Sequence, residues 1–392
     1  MNANLRDEAL SYFASFSPGH EANLHAYFSP GRVNLIGEHL DYNGGYVFPT
    51  ALTLGTLLLV APRNDRRVRF ASTTFAQVHE VSLDDLSYQK DHDYANYPIG
   101  VLAAFQDRGF ELQGMDILFA SDLPAGSGLS SSASIEVGTA LAVNDIFQCG
   151  LAMRELVIMA QQVENQFIGV SCGIMDQFAV GMGKKDHAML LDCETLAVSY
   201  HPLTDPDYVF VIANTNYPRK LSESKYNERR EECDRSFAIL RDHFPDARAL
   251  AHIPMEAWPE VESLLKDATL IKRTRHVLFE QARTKASATY LQAGDYRAFG
   301  EAMNASHRSL QDDFEVTGYA LDALAESASL VEGCLGSRMT GAGFGGCTVS
   351  LVHKQKVADF ERLVAKRYQD LTGLSASFYL TSLGQGAKRV EL

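Results

Sequence analysis

Six side chains able to handle protons, cations or hydroxyl groups stand out by type and neighbourhood: Arg32, Glu38, His39, Asp41, Glu164 and Asp176. The first four lie within Gly31-Arg-Val-Asn-Leu-Ile-Gly-Glu-His-Leu-Asp-Tyr-Asn-Gly-Gly45, a stretch with four glycines. It is too polar for a core strand and too apolar at its centre for a linker. It reads as a loop presenting side chains to a polar ligand, or as a decorated turn, because Asn43-Gly44-Gly45 is a strong turn signal. Two carboxylates beside an imidazole supply hydrogen-bond acceptors and a donor at close quarters, which suits the hydroxyls of a sugar. Asp176 follows a glycine-containing loop and has apolar neighbours, Ile174, Met175 and Phe178. It is either a helix cap or a desolvated functional carboxylate.

A second chemical stretch is Leu123-Pro-Ala-Gly-Ser-Gly-Leu-Ser-Ser-Ser-Ala-Ser134. The segment before it, 114–121, reads as a strand, and 135–147 as a buried helix whose only charges are Glu136 and Asp145. A glycine-and-serine loop leading into a helix N-terminus gathers free N–H groups and the positive end of the helix dipole, which suits phosphate. The competing reading is an ordinary serine-rich helix cap.

The other elements must position these groups. A leading helix is expected over 5–16 and a strand over 24–29. Strands at 47–60, 67–71 and 77–82 form an early antiparallel sheet. Helices are expected over 97–106 and 152–167, the latter carrying Glu164 near its end. Strands at 187–193 and 208–214 follow. The densely charged segment 219–235 contains Tyr226 as its lone aromatic residue. A mostly helical region extends over 256–332, then a strand at 348–352, a helix at 357–371 and a strand at 375–381. Gly341-Ala-Gly-Phe-Gly-Gly346 matches the dinucleotide-binding spacing, but that fingerprint needs a helix directly after it and the next residues are β-type. A tight glycine turn between two strands fits better. The lysine-bearing phosphate loop, the protein-kinase motifs and the H-E-x-x-H and G-x-S-x-G patterns are all missing.

With 392 residues, 46% hydrophobic and 21% charged, the chain has material for two or three domains and a large core. Its net charge of −14 disfavours nucleic acid or an anionic membrane as partner. The six cysteines form no C-x-x-C pair and read as reduced thiols. The longest uncharged run, 46–62, is too short and too broken to span a bilayer, and the first residues lack a signal-peptide profile. A cytoplasmic location is expected.

Three segments together resemble known families. Residues 30–45 resemble the galactokinase signature. Residues 123–134 resemble the phosphate loop of the GHMP small-molecule kinase superfamily, and Ser337-Arg-Met-Thr-Gly-Ala-Gly-Phe-Gly-Gly-Cys347 resembles that superfamily's third motif. The resemblance covers essentially the whole chain. It implies an α+β fold of two domains: an N-terminal α/β domain over 1–205, like the second domain of ribosomal protein S5, and a ferredoxin-like C-terminal domain over 206–392. The active site would lie in the cleft between them.

The same resemblance implies roles. ATP would lie on Gly126, Ser127, Gly128, Leu129, Ser130, Ser131 and Ser132, with Ser72 touching the nucleotide. Mg²⁺ would be held by Ser132 and Glu164. Galactose would be held by Glu38, His39, Asp41, Gly173 and Tyr226. Asp176 would act on the attacking hydroxyl, with Arg32 beside it. A carboxylate paired with arginine is a weaker base, so orienting the hydroxyl is its larger expected contribution. The implied reaction makes galactose 1-phosphate, the first committed step of Leloir galactose catabolism, in a monomeric enzyme. N-acetylgalactosamine, arabinose or another sugar as substrate, and a non-catalytic galactose sensor, are the rival readings. The chain departs from the signature at Leu40, usually threonine, which is either a packing change or a change in sugar preference.

Overall fold

The structure, a computed structural model, describes residues 3–19, 23–124, 126–203, 207–217 and 222–392. The strands are β1 (His25–Asn34), β2 (Tyr46–Val47), β3 (Pro49–Pro62), β4 (Arg67–Ser72), β5 (His79–Ser82), β6 (Met115–Ser121), β7 (His187–Asp192), β8 (Val198–Pro202), β9 (Tyr208–Asn214), β10 (Cys334–Thr340), β11 (Cys347–His353), β12 (Ser377–Leu380) and β13 (Lys388–Val390). The helices are α1 (Ala3–Phe16), α2 (Asn96–Asp107), α3 (Ser131–Ile146), α4 (Met153–Val163), α5 (Met175–Met182), α6 (Ser222–Leu240), α7 (Trp258–Leu264), α8 (Ala268–Ala293), α9 (Tyr296–Ser309), α10 (Gly318–Ser329) and α11 (Val357–Thr372). The expected boundary at residue 205 lies outside the described residues.

The larger sheet has the order β13-β1-β3-β6-β4-β5, antiparallel except for the parallel β4–β6 pair. The apolar run in β3 is buried on both faces. Leu57, Leu59 and Ala61 pack under α1, while Leu58 and Val60 meet residues of α2, α3 and α4. Successive side chains of a strand point to opposite faces, so a strand covered on both sides reads as a continuous apolar run. The expected strand at 24–29 continues to Asn34, through residues read as loop. Arg32 fits within it because its charge is paired with Asp176 while the side chain is 4% exposed.

The second sheet, β10-β11-β9-β12, is wholly antiparallel. Val211 and Ala213 of β9 face α10 and α11, whereas Phe210 and Ile212 face the α9 side. The glycines of 341–346 form the turn between β10 and β11, as their spacing suggested. A third small sheet, β2-β7-β8, lies beside the first. One apolar cluster joins Leu40, Val137 and Phe178 to Val277, Phe314 and Met339, so the two ends of the chain share a core. The tail β13, absent from the sequence expectation, pairs with β1 through Ala26 and Val390.

Candidate active site

The chemical residues converge on a cavity of about 340 Å³. It is lined by Arg32 from β1, Glu38, His39 and Asp41 from the following loop, Gly126, Gly128 and Ser130 to Ser132 at the start of α3, Glu164, Gly173 and Asp176. Tyr226 of α6 and Gly341 of the glycine turn close it from the other half. Three expected residues place no side chain in its lining. The Ser72 hydroxyl accepts from the N–H groups of Thr74 and Phe75, capping the turn after β4. Leu129 points into the core, and Ser127 is buried outside the cavity lining.

The loop serines are not helix caps. None caps α3; Ser130, in the N-cap position, adopts φ +64°, a left-handed conformation that costs energy for a non-glycine residue. Its hydroxyl donates instead to Asp176 Oδ2 at 2.6 Å. Ser132 Oγ donates to Glu164 Oε1 at 3.1 Å. Ser134 donates to the Ser29 carbonyl at 2.7 Å, tying α3 to β1. Glu164 opens a π-helical turn, Glu164–Ile168, that extends α4. Such insertions re-aim side chains and are frequent at functional sites.

Asp176 occupies the first turn of α5 but does not cap it. Arg32 clasps it with Nε to Oδ1 at 2.8 Å and Nη2 to Oδ2 at 2.7 Å, and donates from Nη1 to the Gly128 carbonyl at 2.7 Å. One arginine thus ties the phosphate-type loop to the carboxylate. Three of its five N–H donors are used, leaving two for a ligand.

The loop 34–45 is held chiefly by the C-terminal half. Glu38 Oε1 accepts from Gly341 N at 2.7 Å and lies 3.4 Å from Arg338 Nη2. Gly37 N donates to Glu280 Oε1 at 3.0 Å, and His276 Nε2 meets the Glu38 carbonyl at 3.1 Å. Gly37 has φ +97°, and a Cβ there would sit 2.7 Å from the Tyr46 carbonyl. A Cβ on Gly173 would overlap the Asp41 carboxylate, so glycine is required for their close approach. His39 packs against Phe314 and Tyr226 in tilted ring contacts, and its Nδ1 meets the Tyr42 hydroxyl at 2.9 Å. Its Nε2 is buried without a hydrogen-bond partner among the described residues, and a ligand hydroxyl would satisfy it. Leu40 is fully buried in the shared core and does not line the cavity, an environment of packing rather than ligand contact.

The cavity is strongly acidic. Burial, then the charges of Asp176 and Glu38, push the Asp41 carboxyl up to about 7. Burial and Asp176 likewise raise Glu164 to about 7. Burial raises Glu38 despite Arg338 and Arg32, and holds His39 well below the usual imidazole range. Two further carboxyl-linked residues escaped the sequence reading. Gln177 Nε2 donates to Glu164 Oε2 at 2.5 Å and to Glu136 Oε2 at 3.3 Å, and burial raises Glu136. The signal for Glu136 was its isolation in an otherwise apolar helix. His276 and Glu280 carried no comparable signal, since each acts on the backbone of a distant loop.

Ser132 and Glu164 offer two hard oxygens beside the phosphate-type loop. That suits magnesium, which keeps several waters and shares phosphate oxygens rather than demanding a full protein cage. Among the described residues no group of three or more histidine, cysteine or acidic side chains could hold a metal alone. No described helix is long and apolar enough to cross a membrane.

The fold and this loop-and-carboxylate site define a small-molecule kinase of the GHMP class. Models for the GHMP kinase N-terminal and C-terminal domains match residues 96–184 and 287–370, and the galactokinase galactose-binding signature matches 12–62. The chain is 48% identical to galactokinase from Fusobacterium nucleatum over 375 residues, covering 95% of this chain and 96% of that one. It is 48% identical to galactokinase from Bacillus subtilis over 390 residues, covering 99% and 100%. The crystal structure of Lactococcus lactis galactokinase complexed with galactose superimposes with a TM-score of 0.94 at 42% identity, covering 99% of this chain and all of that one. The chain belongs to the galactokinase family.

Proposed function

We infer that this protein transfers the γ-phosphoryl group of ATP to the anomeric hydroxyl of α-D-galactose, giving galactose 1-phosphate and ADP. The observation that carries the reading is the Arg32–Asp176–Ser130 cluster, which ties the phosphate-type loop to a carboxylate of α5 within the cavity that Glu38, His39 and Asp41 also line. Near-identical folding of a galactose-bound relative supports the sugar.

Phosphoryl transfer asks mainly for positioning and charge stabilisation. The N–H groups of 126–132 and the α3 dipole hold the phosphates. Glu38, His39 Nε2, Asp41, Gly173 and Tyr226 hold the sugar hydroxyls. Asp176 accepts the anomeric proton as the new O–P bond forms and the bond to ADP breaks. Oδ2 already accepts from Arg32 and Ser130, so Oδ1 is the oxygen with a free lone pair. The two spare N–H groups of Arg32 face the developing charge. Ser132 and Glu164 would hold Mg²⁺, which when bound neutralises charge on the phosphates.

We further place the domain division near residue 205, with the tail 388–390 belonging to the first sheet. We also place the protein in the cytoplasm; use of ATP as phosphoryl donor supports that location. An ADP-release assay with galactose, glucose, N-acetylgalactosamine and arabinose tests the reading. Galactose should be preferred; a preference for N-acetylgalactosamine would overturn it, and turnover of any sugar removes the sensor alternative.

A further inference from the structure

We propose that Glu136 acts through Gln177 as a positioning residue, fixing the Glu164 carboxylate so that one of its oxygens faces the phosphate-type loop. The inference rests on the reading of Glu164 as a magnesium ligand and goes beyond it, because neither Glu136 nor Gln177 lines the catalytic cavity. Glu136 lies on α3 and Gln177 on α5, and both side chains are fully buried. The Gln177 amide donates to two acids at once. Its Nε2 stands 2.5 Å from Glu164 Oε2 and 3.3 Å from Glu136 Oε2. One amide therefore bridges an acid in the core to an acid in the cavity wall.

Glu164 is a group that such a bridge can orient. It opens the π-helical turn that extends α4, and the last torsion of a glutamate side chain is soft. Its Oε2 is tied back by Gln177 and by the Cys172 thiol at 3.6 Å. Its Oε1 accepts from Ser132 Oγ at 3.1 Å, at the start of α3, and keeps lone-pair capacity for a cation. Carboxylates that hold metals are themselves commonly held by hydrogen bonds from behind.

Packing alone does not account for an acid at position 136. Among the described residues Glu136 forms no ion pair, and Gln177 is the only hydrogen-bond partner of its side chain. A carboxylate buried without a cation is costly, and an apolar side chain of similar volume avoids that cost. The hydrogen-bond inventory also gives the form the acid takes. Gln177 Oε1 and Glu136 Oε1 are both buried without a partner. With Glu136 ionised both are acceptors, so the pair lacks one donor. A proton on Glu136 Oε1 supplies it. A neutral acid and an amide are complementary, each offering a donor and an acceptor, and a neutral Glu136 adds no repulsion against Glu164.

The test is calorimetric binding of a non-hydrolysable ATP analogue to the full chain without sugar, in the presence and absence of Mg²⁺. It needs no turnover. The quantity compared is the factor by which Mg²⁺ tightens binding. Glu136→Leu removes the link while keeping the volume, and that factor should fall about tenfold, the low end for loss of a group that supports a metal ligand. The melting temperature of the ligand-free variant should hold or rise, because an apolar side chain replaces a buried acid. Glu136→Gln keeps one donor and one acceptor and should restore the factor to within twofold of the unaltered protein. Gln177→Leu breaks the bridge at its centre and should also lower the factor about tenfold, which covers the case in which Glu136→Leu does not fold. An unchanged factor in either folded leucine variant, Glu136→Gln as impaired as Glu136→Leu, or failure of both leucine variants to fold overturns the proposal. Glu164→Gln tests the underlying reading. If it leaves the factor unchanged, Glu164 is not a metal ligand and the proposal falls with that reading; if it abolishes the factor while Glu136→Leu leaves it intact, the proposal falls alone.

Discussion

The two loops that meet in the catalytic cavity are held in opposite ways. The phosphate-type loop is anchored from its own half, by Arg32 on the Gly128 carbonyl and by Ser134 on β1, which leaves backbone N–H groups for a ligand. The sugar-type loop is gripped from the distant half, through Glu280, His276, Gln281 and Gly341. Phosphates are alike in every nucleotide, and a helix N-terminus suffices for them. Distinguishing one hydroxyl pattern from another needs side chains fixed to within fractions of an ångström, which explains the second set of supports.

Removing the carboxylate that faces both loops in the cavity should have the largest effect. Asp176→Asn keeps the shape of the cavity but removes the acceptor; kcat is expected to fall by about 10³-fold or more. ATP affinity, measured by calorimetry, should stay within a few-fold. Turnover near that of the unaltered protein would sink the assignment of Asp176. Next, Glu38→Ala or Asp41→Ala should raise the galactose KM by roughly 10–100-fold, the cost of one hydrogen bond to a charged group. A rise confined to the ATP KM would show that the two loops had been assigned the wrong ligands.

Asp41 sharpens the comparison through pH. Its folded-state value of about 7 lies above the free value of 3.8, so folding favours the neutral acid. Its contribution to stability is complete below 3.8 and is lost as pH rises through about 7. Asp41→Asn stays neutral throughout. The melting temperature of the ligand-free variant should therefore exceed that of the unaltered protein by roughly 2–5 °C at pH 8 and by much less at pH 5. Parallel melting curves across that range would contradict the burial argument. The smallest effect on activity is expected at Leu40, which touches no ligand. Leu40→Thr should cost about 1–3 kcal/mol in denaturant unfolding and leave the galactose KM within about twofold. A larger KM change would make Leu40 a specificity residue.

How legible was this in the sequence? Local chemistry could be read. The strand–loop–helix at 115–146, the helix carrying Glu164 and the glycine turn at 341–346 all follow from nearby residues. So did the convergence of Arg32, Asp41, Glu164 and Asp176, through the family resemblance. What escaped depends on contacts across long separations. Arg32 was read as part of a loop because its pairing partner lies 144 residues away. His276 touches Glu38 across 238 residues, and nothing around either one announces it. Ser72 differs again: its hydroxyl oxygen accepts from the N–H groups of its own turn, a local use that a ligand reading of the sequence does not anticipate.

The tail strand carries a consequence for how the protein is made. Lys388 to Val390 supply the outer neighbour of β1, the strand that leads directly into the sugar loop. These residues are made long after β1, and after every residue that lines the catalytic cavity. Until β13 emerges the first strand has an open edge, with N–H and C=O groups that can template pairing with another chain. A nascent chain that has not yet reached β13 is an aggregation hazard whose catalytic residues are all already present.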